Sequence, residues 1–177
     1  MRRICVFCGA AAGNDPRYAA AAGDLGRALA ARSIELVTGG GKVGLMGVVA
    51  DATLAAGGRV IGIIPRFLEE REVAHRGLTE LHVVESLHER KALMHQLSDG
   101  FIVLPGGFGT LDELMESVTW AQLGLHTKPI GIVNVAGYFD DLLAFVEAAR
   151  GAGFIPAADG EILTVREDAT ALVDALA

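Results

Sequence analysis

Charged residues of both signs occur at two places where they could act on a phosphorylated substrate. Glu113 and Glu116 follow the glycine-rich sequence "PGGFGT" at residues 105–110. Because three residues span nearly one helical turn, the two carboxylates are expected to be neighbours on a helix. Arg90 and Lys91 fall near the first turn of another expected helix, where positive charge opposes the helix dipole. These groups could bind a ribose and an anion, although plain exposure to solvent explains them equally well.

The glycine-rich sequence before Glu113 is predicted to bind phosphate. Gly106, Gly107 and Gly109 allow the backbone to turn tightly from an apolar stretch into a helix. The unpaired N–H groups at a helix N-terminus attract anions. The same sequence also fits a capping box, in which Thr110 caps the helix and Glu113 reaches back to it. That interpretation requires no ligand, so both remain open.

A second glycine loop consists of Gly39, Gly40 and Gly41 in "TGGGKVGLMG". Gly39, Gly41 and Gly44 satisfy G-x-G-x-x-G, but the next strand ends in proline and arginine rather than in a ribose-binding acid. Its lysine is not followed by serine or threonine, so a Walker A loop is incomplete as well. An anion-binding turn at a helix N-terminus is what the pattern still supports.

The metal-binding residue types do not form a recognisable site. Cys5 and Cys8 make a C-x-x-C sequence within or at the end of a predicted strand, whereas redox work needs a helix start and zinc needs a second ligand pair. We therefore expect buried, inert thiols. His88 and Glu89 begin an H-E-x-x-H sequence that Ala92 interrupts. Neither a metal nor a cofactor is predicted.

Length and charge restrict the class of protein. The chain has 177 residues without a composition shift, which predicts a single domain over residues 1–177. The net charge of −7, with basic residues scattered, argues against a nucleic-acid partner. No apolar stretch approaches the roughly 20 residues that cross a bilayer, so we expect no membrane association and a cytoplasmic location.

Short apolar runs alternate with segments of helical periodicity. The runs are residues 3–8, 34–38, 59–64, 81–85, 101–104, 129–135 and 162–165. The helical segments are residues 18–32, 45–56, 87–98, 111–123, 139–149 and 167–176. Ser86-x-x-Glu89 predicts a capping box at the third of these. The alternation predicts a Rossmann-like α/β fold, a doubly wound parallel sheet with helices on both faces and ligands bound beyond the carboxyl ends of its strands.

Several motifs taken together resemble one known family. They are "GGGKVGLMG", "GIIPRFL", "REVAHRGLTELHVVESLHERKALM" and above all "PGGFGTLDELMESVTWAQLG". The chain resembles the LOG (Lonely guy) family, the cytokinin riboside 5′-monophosphate phosphoribohydrolases, over nearly its whole length. Members of that family hydrolyse the N-glycosidic bond of a nucleoside 5′-monophosphate and release free base and ribose 5-phosphate. The resemblance thus implies a hydrolase without metal or redox cofactor, and a homodimer.

The resemblance also implies roles for particular residues. The family's catalytic arginine and glutamate fall on Arg90 and Glu113. Its nucleotide contacts fall on Glu72, Arg90, Lys91, residues 107–110, Glu113 and Thr119. Gly106 and Glu116 join this set because of their spacing. A carboxylate beside the ribose could stabilise the oxocarbenium-like charge of the transition state or align the attacking water.

Two other functions compete with the hydrolase. LOG-like folds also serve as carriers of molybdenum cofactor, and a carrier would bind a nucleotide or pterin phosphate without releasing base. Lysine decarboxylase, a label sometimes attached to such sequences, requires pyridoxal phosphate on a lysine. Lys42, Lys91 and Lys128 are the available lysines, and none is plainly placed for it. Alanines at residues 10–12, where many relatives carry serines, leave the affinity for nucleotide open.

Overall fold

Seven β-strands form the centre of the structure, a computed structural model that describes residues 1–69, 74–156 and 162–176. The strands are β1 (Arg3–Phe7), β2 (Glu35–Thr38), β3 (Val60–Pro65), β4 (Glu80–Val84), β5 (Gly100–Val103), β6 (Ile130–Val133) and β7 (Leu163–Arg166). They pair in parallel in the order β4-β3-β2-β1-β5-β6-β7. The predicted parallel sheet is confirmed.

Helices connect the strands. They are α1 (Pro16–Ala31), α2 (Gly44–Ala55), α3 (Leu87–Leu97), α4 (Phe108–Gln122), α5 (Asp140–Gly151) and α6 (Ala169–Leu176). Short 3-10 turns follow β3 at Arg66–Leu68 and β6 at Val135–Gly137. In the part of the chain that the structure describes, no helix has the length and apolar character needed to cross a membrane.

Local sequence determines where two of these helices begin. Asp15 accepts a hydrogen bond from the backbone N–H of Arg17 and caps α1. At α3, Ser86 Oγ accepts from the N–H of Glu89 at 3.1 Å, as the capping box predicts. The Glu89 carboxylate accepts in turn from the N–H of Glu85, one residue before the cap. These bonds satisfy donors that a helix start leaves unpaired.

Helices cover both faces of the sheet because the central strands are buried on both sides. Along β1, Ile4 and Val6 pack with α1, α2 and α6. Cys5 and Phe7 point to the other face and pack with α3, α4 and α5. The doubly wound arrangement is therefore confirmed, and the edge strands β4 and β7 are the most exposed of the described strands.

The two cysteines are free and buried. Cys5 packs into one cluster and Cys8 into the other, so the thiols lie on opposite faces of the sheet. Burial is the largest influence on both, and it raises the pKa of each thiol. The expectation of buried thiols is confirmed, and a raised pKa makes them poor nucleophiles.

The strand order changes direction between β1 and β5. β2, β3 and β4 continue from one side of β1, whereas β5, β6 and β7 continue from the other. Such a switch point opens a crevice at the carboxyl ends of the two central strands. The loops that leave these strands meet there, where the Gly9 N–H donates to the Pro105 carbonyl at 3.0 Å.

A buried histidine packs α3 against α4 and β5. His95 is 6 % exposed, and its Nε2 lies 3.1 Å from Ser117 Oγ on α4. Its ring contacts Trp120 and Phe101, with centroids 4.4 Å and 4.5 Å away. This contact fixes the relative position of the two helices that carry the charged residues singled out above.

Acid is expected to weaken the fold through His95. Burial lowers the pKa of His95 to about 4, and the charges of His126, Lys128 and Lys91 act in the same direction. A histidine in the unfolded chain has a pKa near 6.5, so the unfolded state takes up the proton first as the pH falls. Stability is therefore lost between about pH 6.5 and pH 4. We expect a decrease on the order of 2 kcal/mol in the free energy of unfolding, measured by urea denaturation.

Two variants separate His95 from the other titrating groups. His95→Gln retains a hydrogen-bonding side chain for Ser117 but cannot titrate, so its stability should depend less on pH over this range. His88→Gln changes an exposed histidine on the same helix and should behave like the wild type. An unchanged pH dependence in His95→Gln would assign the acid effect to other residues.

Candidate active site

A cavity of about 510 Å³ opens at the carboxyl ends of β1 and β5. Its walls include residues 8–13 after β1, the glycines and Thr110 after β5, and the rings of Tyr18 and Tyr138. Arg90 and Glu113 are the charged side chains that line it among the described residues. The structure thus brings together the two residues for which the resemblance implies a catalytic role, 23 positions apart in the sequence.

Arg90 reaches the cavity from α3 and is held by the backbone beneath it. Its side chain is buried, its Nε donates to the Ile63 carbonyl at 3.2 Å, and its Nη2 donates to the Gly39 carbonyl at 3.0 Å. These acceptors lie in β3 and directly after β2. Two backbone acceptors in different segments fix both the position and the plane of the guanidinium.

Glu113 lies on the first turns of α4 and is half-buried. Its negative charge affects the pKa of Cys8, a residue of the cavity wall. Burial has the largest effect on the pKa of the Cys8 thiol, the charge of Glu113 raises it further, and the charge of Arg90 lowers it. Both charged groups therefore lie close enough to the Cys8 thiol to change its pKa.

The loop after β5 begins a helix earlier than the sequence predicts. Gly107 is the N-cap of α4, and no side chain makes a capping hydrogen bond there. The capping box at Thr110 and Glu113 is therefore wrong, because the helix starts at Phe108 and Thr110 is already inside its first turn. Thr110 is buried and packs against the Cα of Gly106, where an added Cβ would collide with its hydroxyl. A helix start without a side-chain cap is suited to an anion.

Lys91 and Glu116 form an ion pair outside the lining of the cavity. Lys91 Nζ lies 3.0 Å from Asp112 Oδ2 and 3.1 Å from Glu116 Oε1. Burial alone would lower the pKa of Lys91, but hydrogen bonds to the two carboxylates outweigh it and raise the pKa. Glu116 Oε2 is buried and has no hydrogen-bond partner among the described residues. The pair links the start of α3 to α4.

The second glycine loop supports Arg90 instead of lining the cavity. Gly39 provides the carbonyl that accepts from Arg90, and an added Cβ at Gly39 would collide with the guanidinium. Gly40 is left-handed, with φ 78°, and its carbonyl accepts from the His75 N–H at 2.9 Å. The Gly41 N–H lies 3.2 Å from Met46 Sδ.

Thr119, another predicted contact, does not line this cavity. The Thr119 hydroxyl donates to the Met115 carbonyl one turn back on α4 and is exposed. Glu72 lies outside the described residues. In contrast, the cavity includes Tyr18 and Tyr138, which the sequence analysis does not single out. No local sequence pattern indicates either tyrosine.

Known proteins resemble this chain closely. The sequence profile of the family described as "Possible lysine decarboxylase" matches residues 46–176. A probable cytokinin riboside 5′-monophosphate phosphoribohydrolase of Oryza sativa subsp. japonica is 50 % identical over 99 % of this chain and 78 % of its own length. A cytokinin riboside 5′-monophosphate phosphoribohydrolase of Arabidopsis thaliana is 48 % identical over 99 % of this chain and 83 % of its own. The chain belongs to the LOG family.

Solved structures agree with the LOG-type fold. The molybdenum cofactor carrier protein of Chlamydomonas reinhardtii superposes with a TM-score of 0.73 at 20 % identity, over 98 % of this chain and 94 % of that one. The molybdenum cofactor binding protein of Rippkaea orientalis superposes with a TM-score of 0.73 at 22 % identity, over the same shares. At this identity the likeness shows the fold alone.

Two chemical features of the cavity at the carboxyl ends of β1 and β5 limit the groups that can bind a ligand. Residues 10–12 are alanines, so this part of the wall offers backbone groups and no hydroxyls. Among the described residues, no group of three or more His, Cys, Asp or Glu side chains is arranged to hold a metal ion. The polar contacts available to a ligand therefore come chiefly from Arg90, Glu113 and the helix start.

Gly39→Ala is expected to reduce activity strongly although it changes no group that contacts the ligand. The added methyl group must displace the Arg90 guanidinium, and a misplacement of about 1 Å can cost about 10²-fold in rate. Gly151→Ala is the matched control, since a Cβ there meets no atom within 4 Å. We expect kcat to fall in Gly39→Ala and to stay unchanged in Gly151→Ala, with urea denaturation confirming that both fold. Full turnover by Gly39→Ala would show that the position of Arg90 tolerates this shift.

Proposed function

We propose that the protein hydrolyses the N-glycosidic bond of cytokinin riboside 5′-monophosphates, releasing free base and ribose 5-phosphate. This activity is supported by the named phosphoribohydrolases, which are 50 % and 48 % identical to this chain over 99 % of its length. The single structural observation that carries it is the meeting of Arg90, Glu113 and an uncapped helix start in one cavity. No other described side chain in that cavity is charged.

The helix start is proposed to bind the 5′-phosphate. Gly107 and Gly109 leave open space beside the backbone, since a Cβ at either position would meet no atom within 4 Å. A phosphate can therefore approach the N–H groups and the positive end of the α4 dipole. Binding energy from the phosphate would position the ribose for reaction.

Glu113 and Arg90 are proposed to act on the ribose. In the reaction the oxygen of water bonds to C1′, and the bond from C1′ to the base nitrogen breaks with its electron pair on the base. One proton of the water stays on the new hydroxyl and the other ends on the base. The Glu113 carboxylate would stabilise the positive charge on the sugar or align the water. Arg90, already oriented by Ile63 and Gly39, would hold the substrate or the carboxylate through its planar donors.

The other predicted contacts complete this proposal. Lys91 and Glu116 would support α3 and α4 behind the site, and Thr119 would contact substrate from outside the cavity described above. Glu72 would be a further substrate contact. We also propose a cytoplasmic location, a nucleoside monophosphate as the small-molecule partner, and no nucleic acid or membrane partner.

A homodimer is part of the proposal. Large apolar side chains are exposed on α4, on α5 and just after each of them: Phe108, Leu123, Leu125, Phe145 and Phe154. An apolar groove of about 420 Å³ lies between the same two helices and β7. Exposed apolar area of this kind is typical of protein interfaces. Sedimentation velocity should give twice the mass of one chain, and a monomer at micromolar concentration would contradict the proposal.

The lysine decarboxylase description receives no support from the cavity. Pyridoxal phosphate needs a lysine within the site, and none of the described residues that line the cavity is a lysine. Lys91 is paired with carboxylates, Lys128 donates to the His95 carbonyl, and Lys42 is exposed outside the cavity.

The first experiment is product analysis. Purified protein is incubated with AMP and, separately, with isopentenyladenosine monophosphate, and the products are separated by chromatography. Release of free base and ribose 5-phosphate, with the prenylated substrate preferred, is the expected result. Tight binding of nucleotide without any release of base would favour the carrier function instead.

A further inference from the structure

We propose that Tyr138 is a positioning residue for the phosphate-binding loop, acting through its hydroxyl on the peptide between Gly106 and Gly107. The inference rests on the proposed function, because it assigns the 5′-phosphate to this loop. Tyr138 lies after β6, and in sequence it is at least 28 residues away from the phosphate-binding loop at residues 105–110. The sequence distance means that only the folded chain brings the two together.

The Tyr138 hydroxyl fixes the direction of one peptide group. It donates to the Gly106 carbonyl at 2.6 Å. In a trans peptide the carbonyl and the following N–H point in opposite directions. Holding the Gly106 carbonyl therefore also holds the N–H of Gly107, the N-cap of α4. That N–H belongs to the set of donors proposed to bind phosphate.

The rest of the loop holds the neighbours of this peptide group, since the Cα of Gly106 packs against Thr110 and the Gly107 carbonyl accepts from the Leu111 N–H at 3.1 Å. Upstream, the Pro105 carbonyl is held by the Gly9 N–H at 3.0 Å. Downstream, an added Cβ at Gly107 or Gly109 would meet no atom within 4 Å, so side-chain packing does not restrict those residues. Glycine has the greatest backbone freedom of all residues. A peptide group without the tyrosine contact could rotate and turn its carbonyl oxygen toward the phosphate.

Tyr138 is itself placed by a strained turn. Ala136 has φ 57° and ψ 24°, and Gly137 has φ 70°, so two consecutive residues are left-handed. This conformation is unfavourable for alanine and persists only when its surroundings impose it. Asn134 closes the turn by accepting from the Phe139 N–H at 2.8 Å. The surrounding structure therefore holds this turn, and with it Tyr138, in one conformation.

Apolar burial does not explain the position of Tyr138. Its side chain is 42 % exposed and forms part of the cavity wall. Its ring meets Tyr18 edge to face, with centroids 5.5 Å apart. The hydroxyl contact is thus the feature that connects this exposed ring to the loop.

Tyr138→Phe tests the inference, because it removes one oxygen and keeps the ring. Affinities for AMP and for adenosine are measured by titration calorimetry in a Glu113→Gln background, so that the nucleotide stays intact. We expect affinity for AMP to fall about tenfold, the effect of one hydrogen bond, and affinity for adenosine to be unchanged. With Glu113 present, KM for AMP should rise while kcat changes little.

Two results would overturn the inference. Unchanged affinity for AMP would show that the hydroxyl does not position the loop. Equal losses for AMP and adenosine would show general support of the cavity rather than an effect on phosphate binding. Failure of the proposed function appears elsewhere, as intact isopentenyladenosine monophosphate and intact AMP after incubation with the wild type, so the two failures are distinguishable.

Discussion

Glu113→Gln is expected to lower kcat about 10³-fold while leaving the affinity for nucleotide nearly unchanged. The amide has the shape of the carboxylate but no negative charge. It cannot offset the positive charge that develops on the ribose as the bond to the base breaks, and it cannot take a proton from water. The loss therefore falls on the transition state and not on the ground state. Single-turnover release of base from isopentenyladenosine monophosphate measures it.

A matched control uses the same chemical change elsewhere. Asp24→Asn alters an exposed carboxylate on α1 that pairs with Arg27. It should retain wild-type turnover. If Glu113→Gln hydrolyses nucleotide at the wild-type rate, Glu113 is not the catalytic carboxylate and the assignment fails.

Arg90→Lys is expected to reduce kcat/KM by at least about 10²-fold. A lysine ammonium is a point charge, and it cannot reproduce two directed bonds to the carbonyls of Ile63 and Gly39 together with planar donors at the ligand. Its charge is preserved, so a large effect would come from geometry. Steady-state kinetics with the preferred nucleotide gives both kcat and KM.

Stability separates the two roles of Arg90. Arg90→Ala leaves two buried carbonyls without their donor, and we expect a loss of about 1–3 kcal/mol in the free energy of unfolding in addition to the loss of activity. Arg27→Lys, in an exposed pair on α1, should change neither quantity. Normal activity in Arg90→Lys would reduce Arg90 to a structural residue that any cation can replace.

Both predictions concern side chains whose positions depend on remote segments. Arg90 is oriented by carbonyls from β3 and from the loop after β2, while Glu113 is carried by α4 behind β5. The substitution at Gly39 tests the same arrangement without touching either residue. If all three variants lower turnover, turnover depends on the geometry of the cavity and not on a single charge.

Much of the fold was predictable from local sequence. Alternation of apolar and helical segments indicated parallel strands, because strands buried on both faces must be apolar along their whole length. The capping residues Ser86 and Glu89 placed the start of α3 correctly. The capping box at Thr110 failed, since a glycine N-cap has no side chain that marks it in the sequence.

The residue types of the candidate site were predictable from the sequence, but the contacts that position them were not. Spacing and resemblance singled out Arg90, Glu113 and the PGG loop. Neither showed that the second glycine loop serves as the support of Arg90, nor that Tyr138 reaches the Gly106 carbonyl. Lys91 and Glu116 were expected at the ligand, yet they pair with each other outside the cavity lining.

The sequence by itself determined the α/β class, the order of the elements, the family and the two residue types on which catalysis is proposed to rest. Only the tertiary structure decided which loops meet at the switch point between β1 and β5, and which backbone carbonyls hold Arg90. The physical reason is the distance in sequence over which each interaction acts. Periodicity and capping act over a few residues. The hydrogen bonds of Arg90 and Tyr138 join residues 27 to 51 positions apart, and they form only when the strands have assembled into the sheet.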